Sequence, residues 1–173
     1  ARQLAGRNLI PSAGVVDSQS VKTTESGGPR GFDAAKRLKG RKRHIVTDTQ
    51  GFLLALRVHT ANVQDVHGAV PLLGSLRATF PKLRHIFADR VYRGDQLRKA
   101  AAKFGRWRIQ IVTRTERVGH FKPEPKRWVI ERTFAWFGRN RRLAKDYERT
   151  VASSEAWFLI ASVCFLCQRL ARA

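Results

Sequence analysis

Three acidic side chains stand where a basic chain has least reason to put them. Asp17 closes the run Gly14-Val15-Val16-Asp17, Asp89 follows His85-Ile86-Phe87-Ala88, and Glu131 lies within Arg127-Trp128-Val129-Ile130-Glu131-Arg132-Thr133-Phe134. The chain around them carries 34 Lys and Arg against 13 Asp and Glu, a net charge of +21. Carboxylates are hard oxygen donors of the kind Mg²⁺ prefers. Acids set among apolar neighbours in so positive a chain point to a divalent cation held against a polyanion. The chemistry this suits is phosphodiester displacement, in which two ions roughly 3.5–4 Å apart stabilise the attacking and leaving oxygens. Such a site needs no covalent nucleophile from the protein. The expected cofactor is Mg²⁺, with Mn²⁺ as a substitute, and the expected metal ligands are Asp17, Asp89 and Glu131, with Asp17 bridging.

The elements that must position these acids follow from the pattern. Residues 1–13 read as a lead-in, and 14–173 as one domain, long enough to bury a core. Residues 14–21 alternate as a strand, and 22–40 read as a mobile basic, Gly-rich loop. Residues 41–48 and 52–60 form a hairpin around Thr49-Gln50-Gly51. A helix capped at Asn62 or Asp65 runs through Leu76, with Pro71 expected to break or kink it. Residues 83–88 form the strand that delivers Asp89. Asp95 opens a helix that stops at Gly105, and 107–112 is the next strand. After a polar loop over 113–125, a helix begins near Lys126. The last helix starts at Ser153 or Ser154, with Trp157, Ile160, Ala161, Cys164 and Phe165 facing the domain.

That order predicts an α/β fold: a ribonuclease-H-like mixed sheet, three antiparallel strands and then parallel ones, flanked by helices. The three acids would meet at one end of the sheet.

The basic residues supply the other half of the reading. Lys36, Arg37, Lys39, Arg41, Lys42 and Arg43 crowd one segment, and Arg139, Arg141, Arg142 and Lys145 follow Glu131 on its helix. Such clusters hold phosphates without reading sequence. Asp48, Asp65 and Asp95 are rivals for the metal, but each fits a plainer role in a turn, a cap or a helix start. The histidines show no metal-ligand spacing. Cys164 and Cys167 lie in an apolar helical run and read as buried thiols. The apolar stretch 156–167 is too short for a bilayer, which needs roughly 20 residues. The first residues lack the apolar core of a secretory leader, so the cytoplasm is the expected compartment. There is no Met, which predicts a fragment, a processed product or an edited sequence.

Five ordered motifs carry a resemblance. They are Val16-Asp17-Ser18-Gln19-Ser20-Val21-Lys22-Thr23, Gly40-Arg41-Lys42-Arg43-His44, Ala61-Asn62-Val63-Gln64-Asp65, Ala88-Asp89-Arg90-Val91-Tyr92-Arg93-Gly94, and the run from Arg127 to Phe134. Together they resemble bacterial insertion-sequence DDE transposases of the insertion sequence five type, related to the insertion sequence four group. The resemblance implies a catalytic triad of Asp17, Asp89 and Glu131, Mg²⁺, double-stranded DNA (terminal inverted repeats and target) and a homo-oligomer on that DNA. It also implies residence in the bacterial cytoplasm, on the nucleoid when bound. Arg127 falls at the Arg of the Tyr–Arg–Glu–Lys pattern of the broader group, where it would clamp a phosphate or orient Glu131. Glu124 and Gly138 stand where that pattern has Tyr and Lys.

Two further readings remain open. One is a truncated, catalytically inactive remnant that keeps DNA binding. The other is a basic RNA- or ribosome-associated protein, for which the three acids have no purpose.

Overall fold

Val15 and Val16 are adjacent on one strand and buried on opposite faces, as are Ile45 and Val46 on another. Successive strand side chains point to opposite sides, so a sheet with apolar residues at every position must be covered on both. The computed structural model describes residues 1–25, 27–105, 107–112 and 126–172, and bears this out. Its strands are β1 (Ala13–Lys22), β2 (Gly31–Asp33), β3 (Leu38–Asp48), β4 (Leu53–Thr60), β5 (His85–Ala88) and β6 (Arg108–Ile111). The helices are α1 (Asp65–Thr79), α2 (Asp95–Phe104), α3 (Arg127–Gly138) and α4 (Val151–Leu170). Single 3-10 turns occur at Arg90–Tyr92 and Arg141–Leu143.

β1 lies at the centre. β3 pairs with it antiparallel from Gly14↔Asp48 to Lys22↔Gly40, and β5 pairs with it parallel from Ala13↔His85 to Val16↔Ala88. β6 extends the parallel side. The far edge of β3 is shared by β4, along residues 41–47, and by β2, along 38–40. This is the ribonuclease-H-like mixed sheet that the element order implies. One face is packed by α1 and α2, through Leu72, Leu73, Leu76 and Leu97. The other is packed by α3 and α4, through Ile130, Phe134, Phe137 and Phe158.

Several expectations are corrected. The connection over 22–40 is not a free loop. β2 adds to the sheet, and Arg41 Nε donates to the Pro29 carbonyl at 2.9 Å. Gly28 lies at φ 85°, and a Cβ there would fall 1.9 Å from the Arg149 carbonyl, so the chain is pressed against the approach to α4. Pro71 sits inside α1, which continues to Thr79. The cap of α4 is Thr150, whose hydroxyl accepts the Ser153 N–H at 3.0 Å, one turn before the expected start. α4 turns Ser154, Phe158, Ala161 and Ser162 inward, while Trp157, Ile160 and both cysteines face outward. The expected polar loop over 113–125 lies outside the described residues.

Candidate active site

Parallel pairing of β1 and β5 ends at Val16↔Ala88. The next residue on each strand is therefore one of the acids, Asp17 and Asp89, side by side. β5 stops there because Asp89 turns the chain: its carboxylate accepts the Arg90 N–H and caps the 3-10 turn Arg90–Tyr92. β1 continues, so Asp17 is held in a ladder on both sides of the point where the chain leaves β5.

Glu131 comes from α3, which docks on the β3–β4 hairpin. Thr133 Oγ1 donates to the Val129 carbonyl at 2.8 Å and lies 3.4 Å from the Gly51 carbonyl, and Arg132 reaches the Gln50 carbonyl at 3.3 Å. Ile130, Phe134 and Phe137 bury the inner face of the helix and leave Glu131 on the outer one.

One cation joins the acids. Arg127 Nη2 lies 3.1 Å from Asp89 Oδ2, and its Nε lies 3.0 Å from Glu131 Oε1, a charge contact off the line of a hydrogen bond. Arg127 is four residues before Glu131, one helical turn back on the same face, which is why a single side chain spans the gap.

Asp17 has no such partner. It accepts the Ser18 N–H at 2.7 Å. Burial of the carboxyl raises its pKa to about 6, the charge of Asp89 adds to the rise, and Ser18, Arg127 and Lys36 offset part of it. Part of the residue surface stays open, but the carboxyl group itself is hemmed in closely enough to lose most of its hydration.

Beneath Asp17 runs a polar network. Ser18 Oγ donates to Asp65 Oδ1 at 2.7 Å, and Ser20 Oγ donates to Asp33 Oδ2 at 2.6 Å. Lys42 Nζ sits 3.0 Å from Asp65 and 3.5 Å from Asp33, and donates to the Val63 carbonyl. Asp65 is thus a strand anchor as well as the first residue of α1. Burial opposes its ionisation, yet the Ser18 and Lys42 hydrogen bonds hold its pKa below the usual carboxylate value. His44 Nδ1 and His59 Nε2 approach to 2.7 Å with stacked rings. Burial, then the neighbouring His59, pushes His44 down to about 3, so His44 stays neutral. Tyr92 is buried against Asp17, Ser18 and Asp65, and burial and those charges keep its phenol protonated. Nothing in the spacing of Ser18, Lys42, His44, His59, Asp65 and Tyr92 announces this network. Only the β1–β3–β4 register, with the start of α1 and the turn after β5, brings them together.

The expected DNA-facing residues divide. Lys36, Arg37 and Lys39, at the β2–β3 hairpin, are exposed, as are Arg139, Arg141, Arg142 and Lys145. Arg142 pairs with Glu148 at 2.7 Å. Arg41, Lys42 and Arg43 are corrected: all three are buried. Arg41 meets Asp146 at 3.0 Å and the carbonyls of Arg149 and Thr150; Arg43 donates to the carbonyls of Leu143 and Lys145. Their charges hold the α3–α4 connection to the sheet and are not available to phosphates. Of the rival acids, Asp48 closes the hairpin turn by accepting from Gln50 and Phe52 N–H, and Asp95 begins α2.

Among the described residues, no three of His, Cys, Asp and Glu stand close enough to hold a metal ion together. The donor chemistry nevertheless fits a hard cation. Asp17 is a hindered carboxylate short of counter-charge, and the two acids beside it already share a positive group, Arg127.

Comparison with known proteins places the chain in a family. The Transposase DDE domain family matches residues 9–166. A protein of Burkholderia cepacia, "Putative transposase for insertion sequence element IS402", is 35% identical over 148 residues, covering 81% of this chain and 67% of that protein. A chain in the cryo-EM structure of simian T-cell lymphotropic virus intasome in complex with PP2A regulatory subunit B56 gamma shares the fold. The TM-score is 0.54 at 14% identity, over 90% of this chain. The chain spans about half the length of that structural neighbour, 49%. The match runs across β1, β5 and α3 alike, the three elements that carry Asp17, Asp89 and Glu131. This chain belongs to the DDE transposase family of insertion sequences.

Proposed function

We propose that this domain cleaves and transfers DNA strands at the ends of an insertion element, with Asp17, Asp89 and Glu131 as its catalytic carboxylates. The observation that carries the reading is the adjacency of Asp17 and Asp89 at the point where β1 and β5 part, with Arg127 tying Glu131 to the pair. Mg²⁺, or Mn²⁺ in its place, would be held by these three carboxylates and would supply the Lewis acidity that stabilises charge on phosphodiester oxygens.

The protein's own groups do the rest. Asp17 would be one of the ligands. Its raised pKa leaves it partly protonated near pH 6, and a bound cation would favour the ionised form. Asp89 is aimed by the turn it caps, and Glu131 is aimed by a helix pinned to the hairpin. Arg127, which spans Asp89 and Glu131, would be free to bind a DNA phosphate if those acids held a cation instead. The hairpin at Lys36, Arg37 and Lys39 lies near enough for the Lys36 charge to be felt at Asp17, so it lays the sugar–phosphate backbone beside the acids. The resulting partner is double-stranded DNA, bound by copies of the chain assembled on it.

A second reading, a DNA-binding remnant without catalysis, is favoured by one observation: Arg127 occupies the carboxylates that the reaction requires. Nicking of supercoiled DNA in Mg²⁺ or Mn²⁺ separates the two. Wild type should nick and Asp17→Asn should not. Equal nicking by both rejects the assigned acids, and tight DNA binding without nicking by either establishes the remnant.

A further inference from the structure

α4 leaves an apolar outer face uncovered along its length. Leu159, Ile160, Val163 and Leu170 are 51%, 49%, 58% and 47% exposed, and Ala152 and Ala156 lie on the same face. Monomeric proteins rarely show contiguous apolar surface of this kind without a use for it.

The spacing says what shape covers it. Ala152, Ala156, Leu159, Val163, Leu166 and Leu170 follow one another at steps of four and three, the a and d repeat with which one helix receives another. The charges say that the covering helix is itself uncharged. α4 carries two charged residues in twenty, Glu155 and Arg169, and both turn into their own domain. Glu155 accepts the Val58 N–H at 2.8 Å, and the Arg169 guanidinium stacks over Phe52, Trp136 and Phe165. In a chain of net charge +21, the stripe itself carries no charged side chain.

The order of side-chain sizes then fixes the direction. The stripe is small at its start and large at its end. Paired antiparallel, Ala152 lies opposite Leu170, Ala156 opposite Leu166, and Leu159 opposite Val163, so each layer but the central one joins a small residue to a large one. A parallel pair would set Ala against Ala and Leu against Leu, leaving gaps at one end and crowding at the other. The antiparallel arrangement is also self-complementary about a two-fold axis, as a closed dimer requires.

We infer that the outer face of α4 is the contact between two copies of this chain, paired antiparallel about an axis at the level of Ala161. The inference stands apart from the catalytic assignment, since it uses none of the acids. One helix pair of this length buries on the order of 800 Å² in total, below the standard size for stable complexes. The isolated dimer is therefore weak, on the order of micromolar, and is strengthened when one DNA holds both copies at high effective concentration. Because the two bodies repel, added salt should tighten the dimer, as screening shortens the reach of like charge. DNA binding responds to salt in the opposite sense.

Sedimentation equilibrium of the 173-residue chain tests this, with Val163→Glu and Leu159→Ala as variants. Wild type should dimerise, more tightly at 0.5 M than at roughly 0.1 M NaCl. Val163→Glu should weaken the dimer by at least about tenfold with an unchanged circular dichroism spectrum, because it buries a charge at the contact. Leu159→Ala should weaken it less. Single cysteines in a Cys164→Ser, Cys167→Ser background report direction. Two copies of Val163→Cys lie about 6 Å apart along the antiparallel pair and should cross-link, while two copies of Ala156→Cys lie about 15 Å apart and should not. A wild type monomeric at all concentrations, a Val163→Glu dimer as tight as wild type, or equal cross-linking at both positions would overturn the inference. Zwitterionic vesicles that bind the monomer and fail to bind Val163→Glu would assign the face to a membrane surface instead.

Discussion

Two carboxylates of this chain, both held by the β1–β3 pair, have opposite surroundings. Asp146 is fully buried and saturated: Arg41 Nη1 at 3.0 Å, the Glu148 N–H at 3.1 Å and the Ser154 hydroxyl at 2.7 Å all meet it. Its backbone pairs with Lys22 and Thr24, so it fastens the α3–α4 connection to the end of β1. Asp17, five residues earlier on that strand than Lys22, has one N–H and a neighbouring acid. A carboxylate that serves the fold is given its donors by the fold, whereas Asp17 is left short of them. That shortage fits the role proposed for Asp17, which would take its counter-charge from outside the fold.

Substitution should separate the two most sharply. Asp17→Asn should lower DNA nicking by roughly a thousandfold or more, as loss of a central metal ligand does, with the urea midpoint held or raised. Asp146→Asn should do the reverse. Leaving Arg41 buried without its partner should cost about 3–5 kcal/mol, read as a fall in the urea midpoint. If both variants lose stability equally, the contrast fails.

The pH dependence sharpens the same contrast. The folded pKa of Asp17, about 6, is raised above the ordinary aspartate value of 3.8. Below about pH 4 the group is protonated folded or unfolded and costs nothing. Between about 4 and 6 the folded state binds the extra proton, so stability falls as pH rises, and above 6 the full penalty, on the order of 3 kcal/mol, is present. Asp17→Asn should therefore be more stable than wild type at pH 7, with the difference vanishing by about pH 4. Mg²⁺ should stabilise wild type at pH 7 and leave the variant unchanged. A difference that stays constant from pH 4 to 7 would show that Asp17 is not the strained group.

Neighbouring bases give the weaker form of the test. Lys36→Ala and Lys39→Ala should shift stability by less than about 0.5 kcal/mol, and each should reduce the salt slope of DNA binding by about one. Arg127→Ala should be comparably mild. Its half-exposed pairs with Asp89 and Glu131 should cost under about 1 kcal/mol in thermal melts. The same change should tighten Mn²⁺ binding to the free protein by releasing both acids.

The sheet was legible because β1, β3 and β4 combine apolar runs with a short turn, and because strand–helix–strand units demand parallel pairing. The acids were legible as chain positions, since each follows or interrupts an apolar run. Their mutual arrangement was not. Arg127 between Asp89 and Glu131 depends on how β5 and α3 approach, which no local pattern records. Arg41 and Arg43 misread for a related reason. Three basic residues in a row look like surface, but on a strand covered from both sides alternate side chains go into opposite layers. There a buried guanidinium is satisfied by carbonyls some hundred residues away. On α4 nearly every residue is apolar, so periodicity could not choose which side faced the domain. The inward Glu155 and Arg169 decide it.

The Gly-rich connection between β1 and β3 carries one more lesson, for heredity rather than for chemistry. A Cβ at Gly28 would strike the Arg149 carbonyl, and one at Gly40 would fall 1.9 Å from the Val21 carbonyl. These positions look expendable by composition, yet any side chain there must pry apart β1, β3 or the approach to α4. In a saturation scan of variants they should tolerate substitution as poorly as Ile45 at the sheet centre, while exposed Arg37 close by accepts most residues. A lineage drifting toward loss of transposition would thus be expected to erase its acids long before it erases these glycines.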